Sequence, residues 1–322
     1  MPVITTPQQF NVGDLFVDLG EFAGSSLYLK CEGFNFAGSI KLKAAAEMVS
    51  AAERDGRIGP GTELVESSSG NMGIALSVVA RSQGLRFTCV TDPRCTAAAR
   101  SLMTSLGARV HVVEEPHPDE GFLGARIRYV RELCRRDDRV VWLNQYANDG
   151  NWLAHYLTTG PEILKQFPEL DVLFVGAGTT GTLMGCARYL RENRPSARIV
   201  AVDAAGSVTF GTSPMTRMIP GLGASVRPTL LQESFVDDVV LVPEAETVRV
   251  CRLLAARGFL FGGSTGTVVA GALSWLRRCG SASAPTAVGV APDLGDHYLE
   301  TIYRDDWVTE TYGSVTALGG LL

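Results

Sequence analysis

The sequence predicts an α/β protein with two open, mostly parallel β-sheets and a cleft between them. From about Thr62 onward, short β-rich runs alternate with longer helical patterns, an order typical of parallel sheets with helices on their faces. The alternation restarts at a wholly apolar run, residues 172–175. The length of 322 residues also exceeds what one compact core usually holds, so two domains or one large α/β unit are expected.

The first series of elements starts with a helix at residues 42–52. Right-handed crossovers would bring the carboxyl ends of its strands to one rim, where such sheets bind ligands. The series continues with strands at residues 62–66, 87–90, 110–114 and 140–143, and with helices at 73–83, 96–106 and 121–134 between them.

The second series supplies the other sheet. Residues 281–284 are expected to form an ordinary loop, and residues 319–322 a fraying terminus. The predicted strands are residues 172–175, 199–203 and 239–242, and the predicted helices are residues 181–192, 245–257 and 265–277.

Composition and charge argue against several classes of function. The net charge of −5 disfavours binding along a nucleic-acid backbone, which needs clustered Lys and Arg. The seven cysteines are odd in number and form no C-x-x-C pair, which disfavours a disulfide framework or zinc site and favours a reducing cytoplasm. No basic stretch followed by an apolar one opens the chain, and no run of about 18 apolar residues is present. A cytoplasmic protein that binds neither nucleic acid nor membrane is expected.

Four glycine- or serine-rich turns stand where a helix is about to begin, three of them after a predicted strand. Such a turn exposes backbone N–H groups at a helix N-terminus, where they suit an anion. One such turn is usually structural, whereas four in one chain, each with hydroxyl or amide side chains, indicate a binding site. They are Gly-Ser-Ile-Lys at 38–41, Glu-Ser-Ser-Ser-Gly-Asn-Met-Gly at 66–73, Gly-Ala-Gly-Thr-Thr-Gly-Thr at 176–182 and Gly-Gly-Ser-Thr-Gly-Thr at 262–267.

Two of these turns leave alternatives open. Lys41 would lie near the start of its helix, an awkward place for a cation against the positive end of the helix dipole, and a solvated lysine is the simple alternative. The turn at 176–182 suits a phosphate, but it is not a Walker loop because no Gly-Lys-Ser/Thr follows.

Taken in order, the four turns resemble the motifs of the fold-type-II PLP-dependent β-replacement family, which includes cysteine synthase and cystathionine β-synthase. The resemblance extends from about residue 28 to residue 303. It implies pyridoxal 5'-phosphate (PLP) in the cleft between the two sheets. It also implies a small mobile domain (36–146), a large PLP-anchoring domain (1–35 and 147–322) and a homodimer.

The resemblance implies a role for each matching residue. Lys41 would carry PLP as an internal aldimine and act as the base at the substrate Cα. Asn71 would bond the ring hydroxyl oxygen, and Ser264 would face the pyridine nitrogen. The phosphate would be held by Gly178, Thr179, Thr180, Gly181 and Thr182, and the substrate carboxylate by Ser68, Ser69, Gly70, Met72 and Gln145.

The sequence departs from the family pattern at two of these turns. Leu42-Lys43 follows the lysine where the family commonly has Asp-Arg, so the positive charge is kept but the acid is lost. Local helix packing or loop closure is therefore expected to differ. Met72 stands where a threonine is common, which removes one hydroxyl from the substrate loop.

Within the family, the chain looks closest to the N-(2-amino-2-carboxyethyl)-L-glutamate synthases of 2,3-diaminopropionate biosynthesis. That branch takes O-phospho-L-serine through an aminoacrylate and adds the amine of L-glutamate. Arg126 matches an arginine of the branch and would bind phosphate or carboxylate, with Tyr146 lining the same pocket. A surface arginine and a tyrosine used only for packing are the alternatives. The stretches that carry the resemblance are residues 91–94, 112–116, 142–152, 202–211 and 292–299.

Three other functions remain open at this point. A cysteine synthase would use sulfide and need only a small pocket. The donor also stays open, since O-acetylserine could replace O-phospho-L-serine in the reaction with glutamate. An elimination-only dehydratase is disfavoured because those enzymes carry different loop sequences. An inactive PLP-binding regulatory protein is disfavoured because Lys41, Asn71 and Ser264 are all retained.

Overall fold

The computed structural model describes residues 3–118, 120–279 and 285–313. The loop expected at 281–284 and the terminus at 319–322 lie outside these residues. The strands are β1 (Phe16–Asp18), β2 (Leu27–Cys31), β3 (Glu63–Ser67), β4 (Arg86–Thr91), β5 (Arg109–Val112), β6 (Val140–Trp142), β7 (Val172–Gly176), β8 (Arg198–Ala204), β9 (Asp238–Val242) and β10 (Ala287–Ala291). The helices are α1 (Gly20–Ala23), α2 (Lys41–Arg54), α3 (Asn71–Ser82), α4 (Ala97–Ser105), α5 (Gly121–Arg136), α6 (Asp149–Leu157), α7 (Thr159–Gln166), α8 (Gly181–Asn193), α9 (Glu244–Ala255), α10 (Gly263–Cys279) and α11 (Asp305–Tyr312).

The strands form two sheets, which confirms the predicted fold class. The smaller sheet has the order β5-β4-β3-β6 and is parallel throughout. The larger sheet has the order β1-β2-β10-β7-β8-β9, and within it only the β1–β2 pair is antiparallel. The parallel order places the turns after β3, β7 and β10 at the carboxyl ends of their strands, where ligands bind in open α/β sheets.

Strand β2 is the element that sequence patterning describes least well. Lys30 interrupts its apolar run, yet this lysine is fully buried, and β2 lies between β1 and β10 in the larger sheet. The short strand β10 has the sequence Ala-Val-Gly-Val-Ala and pairs with β2. Neither β2 nor β10 was predicted from the sequence. Helices α6 and α7 were not predicted either, and in the structure Thr158, with φ −127°, separates them.

Two predicted helix starts come too late. Helix α3 begins at Asn71 and α10 begins at Gly263, each two residues before the predicted position. The glycines that suggested a turn are instead part of the first helical turn. Consequently Asn71 and Ser264 occupy the first turns of their helices, where backbone N–H groups have no intrahelical partner.

Each sheet has its own apolar core. One buried cluster joins α2, α3 and α4 to the smaller sheet, and two others cover the faces of the larger sheet. The predicted boundaries of the small and large domains, 36–146 and the remainder, stay a prediction, and residues 1–2 and 314–322 lie outside the described structure. Within the described residues, no helix combines the length and apolar character needed to cross a membrane.

Candidate active site

Lys41 differs from the other three lysines of the chain. Lys30 and Lys43 are ion-paired, and Lys165 is exposed on α7. Lys41 is the first residue of α2 and is only partly exposed, and no described carboxylate lies within ion-pair distance of it. Burial lowers the pKa of Lys41 to about 8, against an opposing contribution from Asp293. A lysine of this kind has a larger neutral fraction near physiological pH than an ordinary lysine.

The segment that precedes Lys41 is fixed to the segment that follows β10. The Ile40 N–H donates to the Pro292 carbonyl (2.7 Å), and the Leu294 N–H donates to the Gly38 carbonyl (3.2 Å). Gly38 has φ +65°, a left-handed conformation that favours glycine. The start of α2 is therefore held against the carboxyl end of the larger sheet.

Asp293 is a buried carboxylate that sequence reasoning did not assign to the site. Its Oδ2 accepts hydrogen bonds from the Tyr298 hydroxyl (2.6 Å) and the Asn71 amide (3.4 Å). Its Oδ1 accepts from the backbone N–H and hydroxyl of Thr265 (3.2 and 3.1 Å). The available signal was a Pro-Asp pair directly after a short apolar strand. Asp293 joins the turns that contain Lys41, Asn71 and Thr265.

Asn71 and Ser264 lie on two sides of this carboxylate. Asn71 Oδ1 is 3.4 Å from His297 Nδ1, so both ends of the Asn71 amide are oriented by the segment after β10. Ser264 is buried and hydrogen-bonds the Tyr298 hydroxyl. A Cβ on Gly221 would stand 2.2 Å from Ser264 Oγ, so only glycine fits opposite this hydroxyl.

The turn after β7 has the geometry of an anion cradle. Helix α8 begins at Gly181, and the N–H groups of its first turn have no intrahelical partner. A Cβ on Gly178 would stand 2.7 Å from the Gly221 carbonyl oxygen, and one on Gly181 would stand 2.2 Å from Asn151 Oδ1. Thr180 has φ +66°, a strained conformation for a β-branched residue and one of a kind found at ligand-binding turns.

Side chains from α6 support this turn from behind. The Asn151 amide donates to Thr179 Oγ1 (3.0 Å), and His155 Nε2 lies 3.2 Å from Thr182 Oγ1. His155 is fully buried, and burial followed by the positive charges of Lys43 and Lys41 lowers its pKa well below the usual value. The imidazole is therefore neutral at physiological pH.

The four charged residues that we call the Lys43 cluster are Lys30, Glu32, Lys43 and Glu162. Glu32 Oε1 lies 3.2 Å from Lys30 Nζ and 2.9 Å from Lys43 Nζ, and Glu162 Oε2 lies 3.1 Å and 2.8 Å from the same two atoms. Burial lowers the pKa of Lys43, but the two glutamates outweigh burial and raise it. The sequence lacks an acid beside Lys43. The cluster supplies two instead, Glu32 directly after β2 and Glu162 on α7.

The turn after β3, proposed for substrate binding, uses one of its serines internally. Ser68 Oγ accepts hydrogen bonds from the N–H groups of Gly70 (3.2 Å) and Gly73 (2.9 Å), which holds the turn against α3. Ser69 and Gly70 are partly exposed. The Met72 side chain lies in the apolar core, so only its backbone is open to a substrate.

Gln145 and Tyr146 contact the same turn. The Gln145 side-chain amide donates to the Ser67 carbonyl (2.8 Å), and the Tyr146 hydroxyl donates to the same oxygen (3.2 Å). Glu66 accepts from the N–H groups of Gln145 (3.0 Å) and Ser67 (2.8 Å) and from Trp142 Nε1 (3.0 Å). Burial raises the pKa of Glu66 to about 7 although these hydrogen bonds oppose it.

Glu66 belongs to a second group of charges, the Arg126 cluster, which comprises Glu66, Asp92, Arg94 and Arg126. Arg94 binds Asp92 through two N–H···O bonds (2.9 and 3.0 Å). Arg126 is 5% exposed, and its Nε lies 3.3 Å from Asp92 Oδ2. Neither Nε nor Nη1 of Arg126 has a hydrogen-bond partner in the described structure. The cluster therefore holds a buried guanidinium with unused donors, not a surface arginine.

These residues fit PLP, the cofactor that the family resemblance implies. The cofactor needs an amine to attach to, and of the three lysines that are not exposed, Lys41 has no counter-ion among the described residues. It needs an anion site for its phosphate, and the turn at 178–182 opens a helix with glycines where a Cβ would collide. When bound, PLP supplies an electron sink for negative charge at the substrate Cα.

Solved structures with the same fold support this fit. O-ureido-L-serine synthase is 32% identical, with a TM-score of 0.85, covering 98% of this chain and 99% of that one. The O-acetylserine-dependent cystathionine β-synthase of Helicobacter pylori is 28% identical, with a TM-score of 0.86, covering 94% and 100%. A hydrogen sulfide-producing enzyme of Fusobacterium nucleatum is 27% identical, with a TM-score of 0.85, covering 92% and 100%.

The family model described as pyridoxal-phosphate dependent enzyme matches residues 16–293, which is most of the chain. This match and the structural similarities confirm the predicted cofactor and the predicted kind of enzyme. The chain therefore belongs to the family of pyridoxal-phosphate-dependent enzymes and is an enzyme of their β-replacement type.

Proposed function

We propose that this protein replaces the β-substituent of O-phospho-L-serine, or of O-acetylserine, with the amine of L-glutamate. The product is N-(2-amino-2-carboxyethyl)-L-glutamate, a precursor of 2,3-diaminopropionate in natural-product biosynthesis. The observation that carries the proposal is the buried guanidinium of Arg126, whose Nε and Nη1 have no hydrogen-bond partner among the described residues although Nε is ion-paired with Asp92.

An anionic substrate would remove an energetic cost at this guanidinium. A buried donor without an acceptor costs about 1–3 kcal/mol, and more when the group is charged. Tyr146 is linked to both parts of this region: burial raises the pKa of Tyr146, the charge of Arg126 opposes this rise, and the Tyr146 hydroxyl donates to the Ser67 carbonyl. A phosphate or a glutamate carboxylate matches the planar donors of an arginine, whereas sulfide offers no such match.

The remaining residues would serve the shared chemistry of the family. Lys41 would carry the cofactor, take the proton from the substrate Cα and return it. A pKa of about 8 leaves roughly a tenth of such an amine neutral at pH 7. Asn71 and Ser264 would bind the ring, the turn from Gly178 to Thr182 the phosphate, and the turn after β3 the substrate carboxylate. The homodimer belongs to this proposal on the family resemblance, and the cytoplasmic location on the pattern of cysteines in the sequence.

A cysteine synthase that uses sulfide is the second candidate. The observation that favours it is the similarity to a hydrogen sulfide-producing enzyme. Both candidates share the first half-reaction, so only the nucleophile separates them.

The test is to supply the donor and the nucleophile separately. Purified holoenzyme receives O-phosphoserine or O-acetylserine while its absorbance is followed, and then glutamate or sulfide, with product masses recorded. We expect glutamate to reverse the absorbance change and give the N-linked adduct. Reversal by sulfide alone, with cysteine as product, would establish the second candidate and contradict the first.

A further inference from the structure

Four buried side chains form a continuous hydrogen-bonded chain from the turn after β7 to the Lys43 cluster. Thr182 Oγ1 lies 3.2 Å from His155 Nε2, and His155 Nδ1 lies 3.1 Å from Thr159 Oγ1. The Thr159 hydroxyl donates to Glu32 Oε1 (3.3 Å). All four are buried, so water does not compete for these bonds.

The direction of each hydrogen bond follows from counting protons. Thr159 has one hydroxyl hydrogen, and Glu32, an ionised acceptor, takes it. Lys43 Nζ, 3.4 Å from Thr159 Oγ1, donates only. Thr159 must then accept from His155, which places the ring proton on Nδ1. Nε2 is left as an acceptor, and the Thr182 hydroxyl donates to it.

This arrangement conflicts with an anion bound at the turn. A phosphate accepts hydrogen bonds and needs the Thr182 hydroxyl hydrogen that His155 now receives. If Thr182 turns its hydrogen to the anion, its oxygen can bond His155 only as an acceptor. The ring proton must then be on Nε2, and Nδ1 must accept the hydrogen of Thr159.

We propose that His155 is a positioning residue that changes tautomer when an anion occupies the turn containing Thr182, and thereby couples that turn to the ion cluster around Lys43. The N–H bond at Nδ1 is exchanged for one at Nε2, so the ring stays neutral and the proton count is unchanged. Glu32 loses the Thr159 hydrogen bond but keeps its ion pairs with Lys30 and Lys43. Lys43 and Lys41 lie two residues apart on α2, so anion binding at the turn changes the contacts of the helix that carries Lys41. The inference rests on the proposed assignment of Thr182 to the phosphate of PLP.

The tautomer can be observed directly by ring-nitrogen NMR. Protein labelled with ¹⁵N-histidine has only four imidazoles, and His155→Asn identifies the signal. We expect Nδ1–H in the cofactor-free protein and Nε2–H in the PLP-loaded protein. Inorganic phosphate alone should cause the same change. One tautomer in all three states would overturn the inference, as would a change caused by PLP but not by phosphate.

Two further variants keep the test decisive if His155→Asn does not fold. In Thr182→Val the ring loses its partner at Nε2 and should remain Nδ1–H with and without PLP. In Thr159→Val it loses the acceptor at Nδ1 and should be Nε2–H already without cofactor. Either variant behaving like the original protein would contradict the proposed chain.

Cofactor affinity separates failure of the inference from failure of the site assignment. Loss of one hydrogen bond in Thr182→Val should raise the dissociation constant for PLP about fivefold. Weaker binding with an unchanged wild-type tautomer would overturn the role of His155 and leave the phosphate turn intact. Unchanged binding in both Thr182→Val and Lys41→Ala would overturn the site assignment itself.

Discussion

The Lys43 cluster and the Arg126 cluster each contain two basic and two acidic side chains but differ in how these are paired. In the Lys43 cluster, each glutamate contacts both ammonium groups at 2.8–3.2 Å. In the Arg126 cluster, Asp92 is bound twice by Arg94 and is ion-paired with Arg126, and Arg126 keeps two nitrogens without hydrogen-bond partners in the described structure.

The difference indicates what each cluster does. A fully paired buried cluster fixes the elements that contribute to it, here β2, α2 and α7. A cluster with unused buried donors gains free energy when an anion arrives. Burial raises the pKa of Glu162 and Asp92, but the basic side chains beside them and their hydrogen bonds together outweigh burial and lower it. Glu66 has no ion pair in the described structure, and burial raises its pKa to about 7.

Removing Lys43 from the Lys43 cluster should have the largest effect on stability. Lys43→Met leaves Glu32 and Glu162 with excess buried negative charge, and we expect a loss of about 3–5 kcal/mol in the free energy of unfolding. Urea denaturation measures this loss. Lys165→Met, on an exposed position of α7, is the control and should change stability by less than about 0.5 kcal/mol. Equal effects in the two variants would show that the paired cluster is not a fixed structural unit.

Removing Arg126 from the Arg126 cluster should affect substrate use more than stability. Arg126→Gln leaves Asp92 bound to Arg94, and we expect kcat/KM for the anionic substrate to fall about 10- to 100-fold, the usual range for one desolvated charged contact. PLP affinity should be unchanged. Steady-state kinetics and a PLP titration measure the two quantities, with Arg135→Gln on the exposed side of α5 as control. Unchanged kinetics would remove Arg126 from the site.

The smallest expected effect concerns the pH dependence of stability at Glu66. The folded protein keeps a proton on Glu66 up to about pH 7, whereas the unfolded chain releases it near 4.5. The folded state therefore binds more protons in this window, and stability should fall by about 1–3 kcal/mol as pH rises through it. Denaturation of Glu66→Gln at several pH values should lack this component, and Glu53→Gln, exposed on α2, should keep it. Parallel pH profiles for all three proteins would contradict the raised pKa.

Much of the fold was readable from local patterns. The alternation of strands and helices predicted the parallel sheets, because strands β3 to β9 and most of the helices between them have clear patterns of apolar residues. The missed strands β2 and β10 depend on tertiary context. A fully buried Lys30 is tolerated in β2 because two glutamates pair with it, and one of them, Glu162, is far away along the chain.

The candidate site divides in the same way. Lys41 and the glycine turns were found because a turn before a helix is a local signal. The partners of Lys43 were not, since Glu162 is 119 residues away along the chain. Asp293 was also missed, because it gains its role only when the carboxyl end of β10 meets the starts of α2, α3 and α10.

The central claim is that the chemistry is carried by buried or partly buried polar groups that lack an ion pair or a hydrogen-bond partner. Lys41 tests this claim most directly. Borohydride reduction of the holoenzyme fixes PLP to the lysine that holds it, and peptide mass spectrometry identifies that lysine among the four in the chain. The account predicts the label on Lys41, which is partly buried, unlike Lys165, and has no ion pair among the described residues, unlike Lys30 and Lys43. A label on Lys30, Lys43 or Lys165 would contradict it.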